Sequence, residues 1–150
     1  MWGQSGTCAR GSEAQPGNFR DRFPQADDNA LVLMGKFGAA RVLLVSDLGR
    51  PGQNALLERT NDLHAEIVVT GIPLASEALG DSFLDEVKPQ VIIVADSEYP
   101  SVERARPELR ERLARRGVPV LYTRTCGAVT IEMRGERWEV WAMDGTRIAK

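Results

Sequence analysis

The chain has very little of the side chain on which zinc chemistry most depends, because His64 is the one histidine among its 150 residues. There are also only two cysteines, Cys8 and Cys126, far apart in the sequence, which argues against a disulfide framework or a zinc ribbon. His64 itself lies between a predicted helix and a predicted strand. A partly exposed connector residue is a more common role there than metal binding or catalysis.

Long apolar runs and nucleotide-binding motifs are absent as well. No window approaches the roughly 18 apolar residues of a membrane span, and no basic segment followed by an apolar stretch opens the chain. We therefore expect a soluble segment without a secretion signal or membrane contact of its own. The 19 basic and 21 acidic residues give a net charge of -2, so no global basic field attracts nucleic acid. No G-x-G-x-x-G or G-x-x-x-x-G-K-[ST] motif follows a predicted strand, which argues against Rossmann or P-loop nucleotide binding.

The composition that is present, 43% apolar and 27% charged, is typical of one compact domain. Residues 1–26 are rich in Gly, Ser, Gln and Arg and lack an apolar period. They are predicted to be a flexible lead-in, with cloning-derived residues as one explanation and with Phe19 and Phe23 as potential anchors on the core. Residues 27–150 are predicted to form a single α/β domain.

Within that domain, apolar runs of strand length alternate with stretches of helical spacing. The predicted strands cover residues 31–34, 42–45, 66–69, 91–94, 118–122, 128–133 and 138–143. The predicted helices cover residues 53–63, 82–87 and 107–116. The order ββ-α-β-α-β-α-β-ββ predicts a mixed sheet with about three helices and right-handed crossovers. Trp138 and Trp141 should lie on opposite faces of the last strand, one in the core and one available to an interface.

Six arginines are concentrated on and beside the third predicted helix. Leu109 and Leu113 should face the core, which leaves the arginines toward solvent with Glu108 and Glu111 within reach. A solvated helix face is the ordinary interpretation, and a phosphate-contacting patch that also uses Tyr122 is the alternative. The candidate nucleic-acid-binding residues are Arg104, Arg106, Arg110, Arg112, Arg116 and Arg124.

Two other polar residues have ordinary structural interpretations. Asp47 follows a buried strand, where an aspartate often caps a turn by accepting bonds from nearby backbone amides. Cys126 lies between two strands without a flanking base, so a structural turn is favoured over a nucleophile.

Four stretches of the chain follow recognisable patterns in a fixed order. The stretch Asp28–Leu33 is similar to the pattern N-(D/N)-x-S-L-V-L, and Arg41–Leu48 is similar to (R)-x-L-L-T-G-D. The stretch Phe83–Ile93 is similar to F-L-x-x-(V/I)-x-P-x-x-(A/V)-(V/I)-(I). Pro107–Val120 is similar to P-x-x-x-x-x-L-x-x-x-G and the strand after it. Over roughly residues 27–141 the chain resembles the C-terminal half of the metallo-β-lactamase-type domain of ComEC-like competence (DNA-uptake) proteins.

The resemblance also locates the metal ligands that this sequence lacks. The H-x-H-x-D-H cluster belongs to the N-terminal half of the family's domain and has no counterpart here. The P-H-H-G-S loop corresponds to Thr70–Leu74, and the last histidine ligand corresponds to Arg106. Asp47 alone stands where the bridging carboxylate would be, as a relic ligand position. Because a two-metal centre needs imidazole as well as carboxylate, we expect no metal, no other cofactor and no catalytic residue.

The resemblance further implies half of a four-layer αββα sandwich, with its helices on one side of the sheet. The opposite face, with Leu33, Leu44, Val68 and Ile93, should then be bare, and a large bare apolar face is rarely tolerated. We expect a homodimer, or an absent N-terminal half-domain, to cover it.

Three functions follow as expectations. The first is a non-catalytic or degenerate domain in protein or DNA interaction, excised from a bacterial membrane protein of DNA uptake. The second is a DNA-binding module that uses the Arg104–Arg116 helix. The third is a metal-dependent phosphodiesterase or nuclease completed by another chain or a missing segment.

Overall fold

The computed structural model describes residues 26–38 and 40–150, and the predicted lead-in up to residue 25 lies outside this range. A 3-10 turn at Ala26–Asn29 opens the described chain, and a second lies at Ser101–Glu103. The strands are β1 Leu33–Phe37, β2 Ala40–Ser46, β3 Ile67–Thr70, β4 Val91–Val94, β5 Val120–Tyr122, β6 Val129–Arg134, β7 Arg137–Ala142 and β8 Arg147–Ala149. The α-helices are α1 Arg50–Arg59, α2 Asp81–Val87, α3 Pro107–Arg115 and α4 Thr123–Cys126.

The main sheet has five strands in the order β1-β2-β3-β4-β5. β1 is antiparallel to β2, and β2 to β5 are parallel to one another. The predicted α/β class with a mixed sheet is confirmed. All four residues of β4 are buried, as expected for an apolar, β-branched run in a parallel sheet that is covered on both faces.

The three longer helices pack on one face of this sheet. Phe83 and Leu84 of α2 and Leu113 of α3 are at most 1% exposed and form one core with Leu43 and Val68 of the sheet. Leu109 is partly buried against the same core, so the predicted inward face of α3 is confirmed. Both α1 and α3 have proline in the first turn, where its missing amide would have no intrahelical partner.

Part of the other face of the main sheet is covered by a second sheet, which corrects the expectation that this face is bare. β6, β7 and β8 form an antiparallel three-stranded sheet. Trp138, Val140 and Ala142 of β7 form a second core with Ile67 and Ile93. The layers are therefore helices, main sheet and small sheet. Trp138 is 5% exposed and Trp141 is 49% exposed, which confirms that these two residues face opposite ways.

The small sheet covers the face only in part. Leu33, Leu44, Val69, Ile93 and Leu121 are successive register partners across the main sheet. Ile93 and Leu121 are 3% and 6% exposed, whereas Leu44 is 39% and Leu33 51% exposed. Apolar side chains are thus left uncovered at the β1–β2 end.

Val68, which the sequence placed on this same face, lies in the helix-side core with 0% exposure. The reason is strand alternation, because its register partner is Leu43 and not Leu44. No helix of the described residues has the length and apolar character of a membrane span.

Candidate functional site

An open groove lies at the carboxyl edge of the parallel strands, between the segment that follows β3 and helix α3. Its volume is 690 Å³. In open α/β sheets this edge is the usual place for ligands. The lining residues are Ile72, Pro73, Leu74, Ala75, Ser76, Glu77, Ala78, Arg106, Glu108, Leu109, Arg112 and Arg115.

The predicted turn cap by Asp47 is not what the structure contains. Asp47 is exposed, and helix α1 has Gly49 as its N-cap without a side-chain hydrogen bond. The Asp47 carboxylate instead lies against Gly71, where a β-carbon would be 1.8 Å from Asp47 Oδ1. A residue larger than glycine at position 71 would displace that carboxylate.

The residues around Asp47 do not fit a two-metal centre. Gly71, which lies against the Asp47 carboxylate, is followed by Ile72 and Pro73, and none of these three residues has a side chain that could bind a metal ion. His64 precedes β3 at the opposite edge of the sheet, with Nδ1 3.5 Å from Glu66 Oε1. Within residues 26–38 and 40–150, no three His, Cys, Asp or Glu side chains are grouped closely enough to hold a metal ion.

Arg112, one of the predicted DNA-contacting residues, is a structural tie between α3 and the segment before α2. Its side chain is only 12% exposed. The guanidinium donates to the Ala78 carbonyl oxygen at 2.7 Å and to that of Leu79, and its Nε lies 2.9 Å from Glu77 Oε1. These bonds fill most of its donor capacity, and little remains for a phosphate.

Arg116 at the end of α3 is engaged in the same way. It pairs with Asp81 at 3.0 Å and also with Asp85, so that it ties α3 to α2. The sequence put Glu108 and Glu111 within reach of these arginines, but neither of them pairs with Arg112 or Arg116. The carboxylates come from residues 77–85, brought close by the packing of α2 beside α3.

Arg104 and Arg124 form a third group around Glu98. Arg104 lies 2.7 Å and Arg124 2.9 Å from the Glu98 carboxylate. The bond from Arg124 lowers the pKa of Glu98 below its ordinary value. Arg124 also lies 3.6 Å from buried Asp96, which accepts backbone N–H bonds from Ala105 and Arg124.

The remaining arginines are less constrained. Arg110 lies over the Tyr122 ring, with Cζ 3.9 Å from the ring centroid, in a cation–π contact. Arg106 and Arg115 are exposed beside the groove. The six predicted nucleic-acid contacts therefore do not form one free cationic surface.

Two residues that sequence reasoning did not single out organise the groove. Asp27 Oδ2 accepts the Leu74 N–H at 2.7 Å, which fixes the groove segment to the start of the domain. Gln53, 2% exposed, donates to the carbonyls of Leu48 and Glu77 and accepts the Gly80 N–H. The available signal for Gln53 was its position one turn before Leu56 and Leu57 in α1, where a polar side chain shares a helix face with two apolar ones.

Cys126 lies between β5 and β6, as the sequence indicated, but in the short helix α4 and not in an irregular turn. It is 5% exposed at the end of α4. Burial, and secondarily the charge of Asp144, raises the pKa of its thiol. Since the thiolate is the nucleophilic form, a raised pKa makes Cys126 a poor nucleophile at neutral pH.

Comparisons with known proteins give no relative for this chain. No protein-family profile, curated protein or solved structure matches it.

Proposed function

We propose that this chain is a non-catalytic, degenerate metallo-β-lactamase-like domain, related to those of ComEC-like DNA-uptake proteins, that acts by binding protein. The single observation that carries the proposal is the uncovered apolar end of the main sheet. Leu33, Phe37 and Leu44 lie there on the face away from the helices and are 51%, 52% and 39% exposed. We call these three residues the apolar strip.

The chemistry at the carboxyl edge supports a binding role over hydrolysis. A metal-dependent hydrolase needs ligands that lower the pKa of a bound water and hold the substrate oxygens. Asp47 lies against Gly71, and the position that the resemblance assigns to the last histidine ligand is held by Arg106, a cation. These residues supply neither the imidazole nor the carboxylate set of such a centre.

The test is a hydrolysis assay with the full chain. In Mn²⁺ or Zn²⁺, cleavage of an activated phosphodiester and of single-stranded DNA is expected to equal the protein-free rate. Asp47→Ala should give the same result, because the carboxylate holds no ion. Cleavage that is metal-dependent and lost in Asp47→Ala would establish the alternative of a phosphodiesterase or nuclease.

DNA binding through the arginine helix is the second candidate, and Arg106 and Arg115 at the groove are the observation in its favour. Binding through only two cations would release few counterions from DNA, so we expect weak affinity. A plot of the logarithm of the binding constant against the logarithm of salt concentration should have a slope no steeper than about -2. Titration of labelled duplex DNA between low and physiological salt measures this slope. A steep slope that is abolished by Arg106→Ala with Arg115→Ala, but not by Lys36→Ala, would favour the DNA-binding module.

A further inference from the structure

Strand β1 is an edge of the main sheet, and most of its side chains are apolar and exposed. It is the terminal strand, and among the described residues no other strand pairs with its outer side. Its residues Leu33, Met34 and Phe37 are 51%, 40% and 52% exposed. Natural proteins block such edges with charges, prolines or bulges, because open edges recruit other strands. Here Lys36 is the one charged residue of the strand.

The backbone of β1 offers bonding groups at alternate positions. Phe37 pairs with Ala40 next to the hairpin turn, Gly35 with Val42, and Leu33 with Leu44. When the pair next to the hairpin turn is hydrogen-bonded, bonded pairs recur at every second residue of an antiparallel ladder. Phe37, Gly35 and Leu33 then direct their backbone N–H and C=O groups toward β2. The groups of Met34 and Lys36 then point outward from the sheet.

The sequence Leu-Met-Gly-Lys-Phe can pair with itself about Gly35 without placing like charges opposite each other. When two copies of β1 pair antiparallel with Gly35 on a two-fold axis, Met34 of one copy faces Lys36 of the other. Both residues of that pair have outward backbone groups, and the register gives about four main-chain hydrogen bonds. It also places Leu33 opposite Phe37 on the face of the apolar strip. A register centred on Lys36 would instead set two like charges opposite each other, which is unfavourable.

Gly35 at the axis suits the close approach of two strands. The Phe37 ring already occupies the space over Gly35, since a β-carbon there would be 2.7 Å from Phe37 Cε2. At the axis the rings from both copies would cover the paired glycines. The apolar strips of the two copies would then adjoin.

We propose that the partner of this domain is a second copy of the same chain, joined through antiparallel pairing of the two β1 strands centred on Gly35. The result is one continuous ten-stranded sheet, five strands from each copy. The inference rests on the proposed protein-binding function and names its partner. Because the interface is isologous, each residue of β1 is used twice.

Sedimentation equilibrium of the full chain over a wide micromolar range tests the pairing. The wild-type chain is expected to show a reversible monomer–dimer equilibrium. Met34→Glu should lower the dimer Kd on the order of tenfold, because the introduced carboxylate of each copy would face Lys36 of the other. Met34→Lys should raise Kd by a similar factor, and Met34→Lys with Lys36→Glu should restore tight pairing.

The controls keep the outcomes distinct. Met34 is part-exposed on an edge, so thermal unfolding should show that all variants fold. A wild-type monomer at every concentration, or a Met34→Glu variant that dimerises less tightly than wild type, overturns the pairing. Either result would leave the proposed absence of catalysis intact. Metal-dependent DNA hydrolysis would overturn the proposed function whether the chain is a monomer or a dimer.

Discussion

Replacing Trp138 with alanine is expected to lower the free energy of unfolding by about 3–5 kcal/mol, the range for deleting a large buried aromatic side chain. Trp138 is 5% exposed and belongs to the core between the small sheet and the main sheet. Removing the indole leaves a cavity at the contact that holds β6–β8 in place. Urea unfolding followed by circular dichroism measures the loss.

Trp141 is the matched control for this substitution. It lies three residues along the same strand, faces away from the main sheet and is 49% exposed. Trp141→Ala should cost less than about 1 kcal/mol, since the side chain leaves no cavity in the core. Equal losses for the two variants would mean that the small sheet does not dock through Trp138.

Arg112→Ala is expected to cost about 2–3 kcal/mol of unfolding free energy. The substitution leaves the buried carbonyl groups of Ala78 and Leu79 without their donor, and an unsatisfied buried polar group costs about 1–3 kcal/mol. The ion pair with Glu77 adds little, because the Glu77 carboxylate is 38% exposed and solvent screens the attraction. Arg112→Lys should recover only part of the loss, because an ammonium group cannot reproduce the planar fork.

Arg115→Ala, on the same helix, is the control for Arg112→Ala. Arg115 is exposed at the groove, and its removal should change stability by less than about 0.5 kcal/mol. If Arg112→Ala and Arg115→Ala were equally mild, Arg112 would not be a structural tie and would be available to bind phosphate.

Much of the fold could be predicted from local patterns. The β1–β2 hairpin, the alternation of strands and helices, and the inward face of α3 all follow from spacing within one element. The docking of the small sheet could not be predicted. Alternation in β7 shows that Trp138 and Val140 share a face, but not which surface buries that face. Short β8, with three residues, gave no periodic signal.

The candidate site was less predictable for the same physical reason. The spacing of arginines in α3 put Glu108 and Glu111 within reach, whereas the actual partners are 35 residues away in sequence, Glu77 for Arg112 and Asp81 for Arg116. Long-range ion pairs depend on how α2 and α3 pack, and no local pattern encodes that. The sequence gives the identity of a candidate residue such as Arg106, but not the side chains that surround it in the fold.

Metal stoichiometry is the most direct test of whether this domain lacks the two-metal centre of a hydrolase. The full chain would be incubated with excess Zn²⁺ or Mn²⁺, dialysed, and its metal content measured by plasma mass spectrometry. The predicted content is well below one ion per chain, with Asp47→Ala indistinguishable from wild type. Two ions retained per chain, and lost in Asp47→Ala, would contradict the account.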